Sequence, residues 1–336
     1  MTPPAADPVP LTDSFGRVHR DLRISITDRC NFRCTYCMPA EGMQWRPRSE
    51  LLTFEEIETI ASVCVERFGF DSIRLTGGEP TMRARLPLLV EKLARLGVDL
   101  ALTTNGATLA HQAHDLAAAG LTRINVSLDS LDRDRFAEVT RRDELPQVIA
   151  GIRAAVEAGL APVKVNVVVV RGVNDHELVD FARFGREEGV AVRFIEFMPL
   201  DADHNWTGSA VVPAAEVVET ISAVYPLVPV ARDHSPAEVF RFVDGAGEIG
   251  VIGSVTEPFC SSCDRVRLTA DGQLRACLFS TDETDLRNML RSNEPAVAED
   301  LVAEALSATV GAKWAGHGIS QVNFTRPTRS MSEIGG

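Results

Sequence analysis

The 336-residue sequence lacks an apolar run of membrane-spanning length. The nearest approach, "VNVVVV", is hemmed in by Lys164 and Arg171 and falls far short of the roughly 18 residues a spanning helix needs. It also lacks positive charge: 34 Lys and Arg against 47 Asp and Glu leave a net charge of −13. So acidic a chain has no general affinity for nucleic acid or for an anionic membrane, since either demands a basic face. An anionic ligand must therefore find a local basic pocket. The first ten residues, "MTPPAADPVP", have no cationic start and no apolar stretch, so a frayed lead-in over residues 1–13 is expected rather than a secretory leader. Solenoid-type repeats and low-complexity tracts are missing too. These absences place the protein in the cytoplasm, where thiols stay reduced and clustered cysteines point to metal or catalysis rather than to bridges.

What is present includes 45% hydrophobic residues, enough to bury the core of one large α/β domain or two modest ones. From Leu22 to Pro199 six β-type runs, "LRISIT", "SIRLT", "VDLALTT", "RINVSL", "PVKVNVVVV" and "VAVRFIEF", alternate with helical patterns. Six strand–helix repeats predict an α/β fold with a parallel sheet or barrel, its strands buried on both faces. Chemistry in such folds gathers at the carboxyl ends of the strands. The polar motifs fall there: a cysteine cluster after the first run, "GGEP" after the second, "NG" after the third, and Ser127 and Asp129 ending the fourth. After about Leu200 the alternation fails. One helical stretch, "PAAEVVETISAVY", and β-like pieces such as "AEVFRFV" and "EIGVIGSV" lead to a second cysteine-bearing region and the tail "RPTRSMSEIGG". The expected organisation is a core domain over 14–235, a C-terminal module over 236–330 and a short tail over 331–336.

Seven cysteines divide into two triads and a singleton. Cys30, Cys34 and Cys37 form C-x3-C-x2-C, and Cys260, Cys263 and Cys277 form C-x2-C-x13-C. Cys64 sits apart in "EEIETIASVCVERFG", where Ile57, Ile60, Ala61, Val65 and Phe68 share its helical face, and it is expected to be a small core hydrophobe. Structural zinc usually wants four ligands per site. Three plus three leaves each site one short, and no histidine lies inside either motif, although His19, His111 or His317 could come from elsewhere. The alternative is a four-iron cluster on three thiolates, its fourth iron open to a non-protein ligand.

"CNFRCTYC", after the first predicted strand, resembles the cluster loop of the radical S-adenosylmethionine (SAM) superfamily. The resemblance implies an incomplete (βα)6 TIM-type barrel whose open side is closed by the C-terminal module. It implies a [4Fe-4S] cluster on Cys30, Cys34 and Cys37, with SAM chelating the open iron and Tyr36 against the adenine. "TGGEP" is the superfamily's second mark, a loop whose glycines let the backbone approach a ligand closely. Gly78 is its SAM contact in this reading, and Ser127 and Met198 match further SAM-contacting positions.

Within the superfamily, the second triad is similar to the auxiliary cluster site of the GTP 3',8-cyclases, the family that opens molybdenum-cofactor biosynthesis. "IRLTGGEP", "LTTNG", "INVSLDSLD", "VKVNVVV", "RFIEFMPL" and "FCSSCDRVRLTADGQLRACLF" carry the likeness, which covers nearly everything after residue 14. It implies a second [4Fe-4S] cluster on Cys260, Cys263 and Cys277 that binds the guanine edge. The implied reaction uses a 5'-deoxyadenosyl radical that takes the ribose 3' hydrogen of GTP, giving (8S)-3',8-cyclo-7,8-dihydroguanosine 5'-triphosphate. The roughly four negative charges of GTP require local cations in an acidic chain. The candidates are Arg23, Arg74, Lys164, Arg265 and Arg267, with Val266 between the last two, Thr103 as a further substrate contact and Arg193 as a weaker addition. Arg23 and the closing pair Gly335 and Gly336 take catalytic roles. Implied partners are GTP, a reductase or flavodoxin-type electron donor, and a downstream cyclic pyranopterin monophosphate synthase, with a homodimer as the assembly to test. Two other readings stand beside this one. Another two-cluster radical SAM enzyme, such as a peptide maturase, would commonly carry more auxiliary cysteines and would need no triphosphate-sized basic set. A zinc-stapled binding protein would have no catalysis.

Overall fold

The computed structural model describes residues 7–201, 203–231, 235–319, 321 and 324–335. The six expected strands occur in chain order as β1 (Asp21–Ser25), β2 (Ser72–Thr76), β3 (Asp99–Thr104), β4 (Arg123–Ser127), β5 (Val163–Val169) and β6 (Ala191–Glu196). Each pairs in parallel with the next. The chain returns between them through α1 (Phe54–Ser62), α2 (Leu86–Ala94), α3 (Ala113–Ala118), α4 (Arg133–Thr140), α5 (Leu145–Glu157) and α6 (Leu178–Glu188). Local chemistry starts these helices. A reciprocal capping box between Thr53 and Glu56 opens α1, and prolines occupy the first turns of α2 and α5, where a missing N–H costs nothing.

The C-terminal third does not build a sheet of its own. Its strands are β7 (Leu227–Pro229), β8 (Glu238–Phe242), β9 (Glu248–Ile252), β10 (Arg265–Leu268), β11 (Gln273–Arg275) and β12 (Thr284–Asp285). β9 runs parallel to β6, while β10 runs parallel to β1, so the six-stranded core gains one parallel strand on each side. The antiparallel pairs β7–β8 and β11–β12 complete a twelve-stranded sheet of order β12-β11-β10-β1-β2-β3-β4-β5-β6-β9-β8-β7. Backbone satisfaction explains the addition, because an isolated six-stranded core would leave the outer N–H and C=O groups of β1 and β6 unpaired. The β7–β8 pair also straddles the expected boundary at residue 235, which therefore lies within one continuous sheet. Among the described residues, four more α-helices follow β6: α7 (Ala214–Ser222), α8 (Leu286–Ser292), α9 (Pro295–Gly311) and α10 (Met331–Ile334). No helix among the described residues is long and apolar enough to cross a membrane.

Side-chain alternation sorts the strands into two faces. In β5, Val163, Val165, Val167 and Val169 are buried, while Lys164, Asn166 and Val168 take the other face. Leu22 and Ile24 of β1 and Ile73 and Leu75 of β2 follow the same rule and join the main apolar core. Cys64 lies in that core, fully buried as expected, in a wider π turn over Val63–Arg67 that extends α1. The opposite face of the strands, carrying Arg23, Arg74, Thr103, Asn125 and Asn166, lines a cavity.

Candidate active site

The loop after β1 carries Cys30, Cys34 and Cys37 onto the cavity wall. It is moored to the end of α4: the N–H groups of Arg33 and Thr35 donate to the carbonyls of Thr140 and Val139 at 3.0 and 2.9 Å. Arg141 donates to the carbonyls of Arg33 and Met38, and Phe32 packs edge-on against Phe136 at 5.9 Å. The glycine loop clips onto the same segment. Gly78 N–H donates to Thr27 O and Glu79 N–H to Arg29 O, both at 2.7 Å. A Cβ at Gly78 would stand 2.5 Å from Arg29 O, so only glycine permits this approach.

Glu79 is the knot of this region. Its buried carboxylate accepts from Thr81 N–H, Thr81 Oγ1, Thr104 Oγ1 and Asn105 N–H at 2.6–3.0 Å, tying the second strand end to the third. Burial raises its pKa, and those donors oppose the rise. Beside it, Tyr36 donates to Asp129 Oδ2 at 2.5 Å, while Val168 N–H donates to Asp129 Oδ1 at 2.9 Å. The Tyr36 ring is thus held at the cavity wall by a buried carboxylate whose pKa burial pushes up to about 6.

The second triad approaches from the other region of the chain. Cys260 and Cys263 precede β10 and Cys277 follows β11, and all three line the same cavity as the first triad. Burial, with Glu79 nearby, pushes the Cys30 thiol up to about 12, and burial pushes Cys37 up to about 11 and Cys34 well above its usual range. Cys263 is different. Burial raises it, but Arg265, Lys313 and Arg267 outweigh burial and bring it down to about 7. The tail reaches the first triad and the surroundings of the second: Ser332 hydrogen-bonds Cys37, Met331 packs against the same small apolar cluster of Leu200, Phe279 and Ile319 as Cys277, and Gly335 O accepts from Arg267 Nη1 at 2.8 Å.

Three arginines stand side by side across the wall. Strand register places Arg23 opposite Arg267 on one side and Arg74 on the other. Asp21 is the carboxylate that pairs with Arg23, at 3.2 Å. Arg74 is 6% exposed, yet its Nε and Nη1 have no hydrogen-bond partner. Burial, then Arg23, pushes its pKa well down. Like charges aligned on adjacent strands repel, and a buried unpaired guanidinium is costly, so this row calls for an anion.

Of the residues expected from sequence, the cavity wall collects Arg23, Tyr36, Arg74, Gly78, Thr103, Ser127, Met198, Arg265, Arg267 and all six triad cysteines, with Arg193 among them. Two do not join it. Val266 is fully buried in the apolar core, because it alternates with its flanking arginines, so only its main chain is available to a ligand. Lys164 lies on the right strand face but is not part of the wall; Arg193, Arg123 and Arg74 share its surroundings. Gly335 is buried against Ser25 and Thr76, and Gly336 lies outside the described residues. Sequence reasoning missed Asn125 and Asn166 on the wall, although both alternate with buried core residues on their strands, which was the available signal. His317 also lines the cavity, its ring tilted at 54° against Phe279 with centroids 5.2 Å apart, and its Nδ1 accepts from Ile319 N–H.

The donor sets fit iron–sulfur clusters. Each triad presents three unbridged, half-buried thiols, the set that leaves one iron of a four-iron cluster open. Among the described residues, no three Cys, His, Asp or Glu side chains form a group that could hold a single metal ion. The profile of the radical SAM superfamily matches residues 24–185, and that of Molybdenum Cofactor Synthesis C matches residues 190–319. The chain is 48% identical to a GTP 3',8-cyclase of Mycolicibacterium smegmatis, over 99% of this chain and 94% of that protein. Its identity to a GTP 3',8-cyclase of Rhodococcus opacus is also 48%, over 97% and 93% of the two chains. Streptococcus suis SuiB bound to S-adenosylmethionine shares the fold, with a TM-score of 0.60 at 14% identity, over 85% of this chain and 65% of that one. Fold, first triad and glycine loop together define a radical SAM enzyme. Within that superfamily the chain belongs to the GTP 3',8-cyclase family.

Proposed function

We propose that the cavity binds SAM and GTP together and closes the ribose 3' carbon of GTP onto guanine C8, the first step of molybdenum-cofactor biosynthesis. The observation that carries this reading is the row Arg267, Arg23 and Arg74, whose aligned charge and unpartnered guanidinium atoms on the wall suit a polyphosphate. A peptide substrate would give those cations no role.

A [4Fe-4S] cluster on the first triad, with SAM on its open iron, would supply a 5'-deoxyadenosyl radical for hydrogen abstraction. The protein's part is to bind, orient and seclude. Cys30, Cys34 and Cys37 would hold the first cluster, and Gly78, Ser127, Met198 and the Asp129-braced Tyr36 would hold SAM. Cys260, Cys263 and Cys277 would hold a second cluster beside the guanine, with Arg265, Arg267, Thr103 and the Val266 main chain around the nucleotide. Lys164 adds charge from behind the wall. Gly335 caps Arg267 and keeps its guanidinium directed into the row. Such preorganisation matters because a misplaced radical reacts elsewhere. The electron donor, the downstream synthase and a homodimer rest on the family resemblance alone, and a cytoplasmic setting on the sequence features given above.

The test is direct: anaerobic, reduced protein incubated with SAM and GTP should form 5'-deoxyadenosine and a cyclised nucleotide. Deoxyadenosine formation indifferent to GTP would point to another substrate.

A further inference from the structure

Lys313 lies just beyond the end of α9 and is only 4% exposed. Its Nζ donates to Arg265 O at 2.8 Å, meets His19 Nε2 at 2.9 Å, and reaches Cys263 O at 3.4 Å and Cys263 Sγ at 3.6 Å. It does not line the cavity. A buried ammonium is costly unless paired and hydrogen-bonded. Arg265 O and the His19 imidazole take two of its three N–H groups and carry no counter-charge, and the third is shared between Cys263 O and Cys263 Sγ. The carboxylate nearby, Asp13, is taken by Arg17 Nε at 2.5 Å. What remains in contact with the cation is the Cys263 sulfur.

The surrounding groups hold this contact rigidly. Arg17 donates to Cys260 O at 2.7 Å, to Trp314 O at 2.6 Å and to Ala315 O at 3.0 Å, pinning the second cysteine loop to the segment that carries Lys313. His19 is fully buried between Asp13 and Lys313. The first triad is built differently. Among the described residues, the donors that reach its sulfurs are neutral: Phe32 N–H at 3.4 Å and Asn105 Nδ2 at 3.9 Å from Cys30 Sγ, Tyr36 at Cys34 and Ser332 at Cys37, while Arg33 acts on Cys30 through its charge rather than as a hydrogen-bond donor to sulfur.

We propose that Lys313 is a positioning residue of the second triad, a buried counter-cation that hydrogen-bonds the Cys263 thiolate and raises the reduction potential of the cluster held there above that of the first. The proposal rests on the two-cluster reading given above. Net charge and hydrogen bonds to the sulfurs are the protein's levers on such potentials, and a fixed positive charge favours the reduced, more negative state. Because Lys313 stands off the cavity wall, its effect is separable from substrate binding, unlike that of Arg265 or Arg267.

The experiment uses full-length, anaerobically reconstituted protein, with iron counts and an EPR-monitored redox titration of wild type, Lys313→Gln and Lys313→Arg. The Gln variant should retain its iron and show the second cluster's midpoint moved to a more negative potential, the first cluster's unchanged, and the Arg variant should return close to wild type. A Gln variant with full iron and a wild-type midpoint overturns the proposal. Loss of the second cluster's iron in the Gln and Arg variants alike also overturns it, since the residue would then serve packing rather than charge. A wild-type protein holding only about four irons would sink the two-cluster reading itself, and that result is read without any variant.

Discussion

The carbonyl oxygen of Gly335 accepts a hydrogen bond from Arg267 Nη1 at 2.8 Å, joining the end of the described chain to β10 across 68 positions. Arg267 in turn stands in register with Arg23, and Arg23 with Arg74. The tail therefore touches the cation row that the proposed substrate would occupy, and Ser332, three residues earlier, touches a ligand of the first triad.

Gly335 has a φ of +86°, and a Cβ there would lie 2.9 Å from both Ser25 Cβ and Thr76 Cγ2. Gly335→Ala should displace the tail from Arg267 and slow cyclisation by about tenfold or more, since left-handed strain of about 1–2 kcal/mol already matches that factor. Iron per chain should not change. Product formation at the wild-type rate would show that the tail's contact has no catalytic consequence.

Arg74 trades stability for binding. Replacing it by Met removes a buried guanidinium with two unpartnered nitrogens from a row of like charges. The unliganded variant should be more stable by about 1–3 kcal/mol in denaturant titrations, by the magnitude of a buried polar group left unsatisfied. Its affinity for GTP, measured calorimetrically, should fall roughly tenfold to a hundredfold, a loss of about 1.4–2.7 kcal/mol.

Lys164 makes the protein pH-sensitive. Burial first, then Arg193, Arg123 and Arg74, bring its pKa down to about 7. Between that value and the ordinary lysine range the folded chain binds fewer protons than the unfolded one, so this group makes the unliganded protein more stable as pH rises above about 7. Its penalty is fully present below that pH. A polyphosphate favours the charged amine, so GTP affinity should weaken as pH rises through the same window. Thermal melts and GTP titrations at several pH values test both signs, and Lys164→Met should flatten both dependences.

The cysteines are expected to separate by role. Cys30→Ala should cost the first cluster and all deoxyadenosine formation, whereas Cys64→Ser should leave iron content intact. The serine hydroxyl would sit in a fully apolar core and lower stability by about 1–3 kcal/mol. Iron analysis together with thermal denaturation distinguishes the two outcomes.

Glu79→Gln tests the knot between the glycine loop and the third strand end. The carboxylate accepts from four donors, and an amide would turn its own N–H groups against some of them. Loss of about 2–4 kcal/mol is expected from two or so broken buried hydrogen bonds. An unchanged denaturation midpoint would mean that the loop is held by the glycine backbone contacts alone.

The six core strands were legible because each joins β-type residues with a flanking helical period, and the cysteine and glycine motifs were legible as spacings. Arg23 and Arg74 stood out as charges inside otherwise apolar strands, and Arg265 and Arg267 as charges beside the second cysteine pair. β10 and β11 did not stand out as strands, since "RVRLTADGQLR" is short, charged and partly edge-like, and the 17-residue α9 went unread. Asp129 showed only as a polar strand end, and Arg17 and Lys313 gave no pattern at all. Their partners lie 93, 243 and 50 residues away, at Tyr36, Cys260 and Cys263.

By itself, the sequence determined the donor chemistry and the strand-end placement of the motifs, because thiol number, glycine freedom and side-chain alternation are local properties of the chain. Only the tertiary structure decided that both triads face one cavity, that three arginines align, that Val266 turns into the core, and that the tail returns to Arg267. Those outcomes depend on which strands pair and in what register. β10 adds beside β1 because the sheet leaves that edge unpaired, and no local period encodes a pairing across 244 positions, from Asp21 to Arg265.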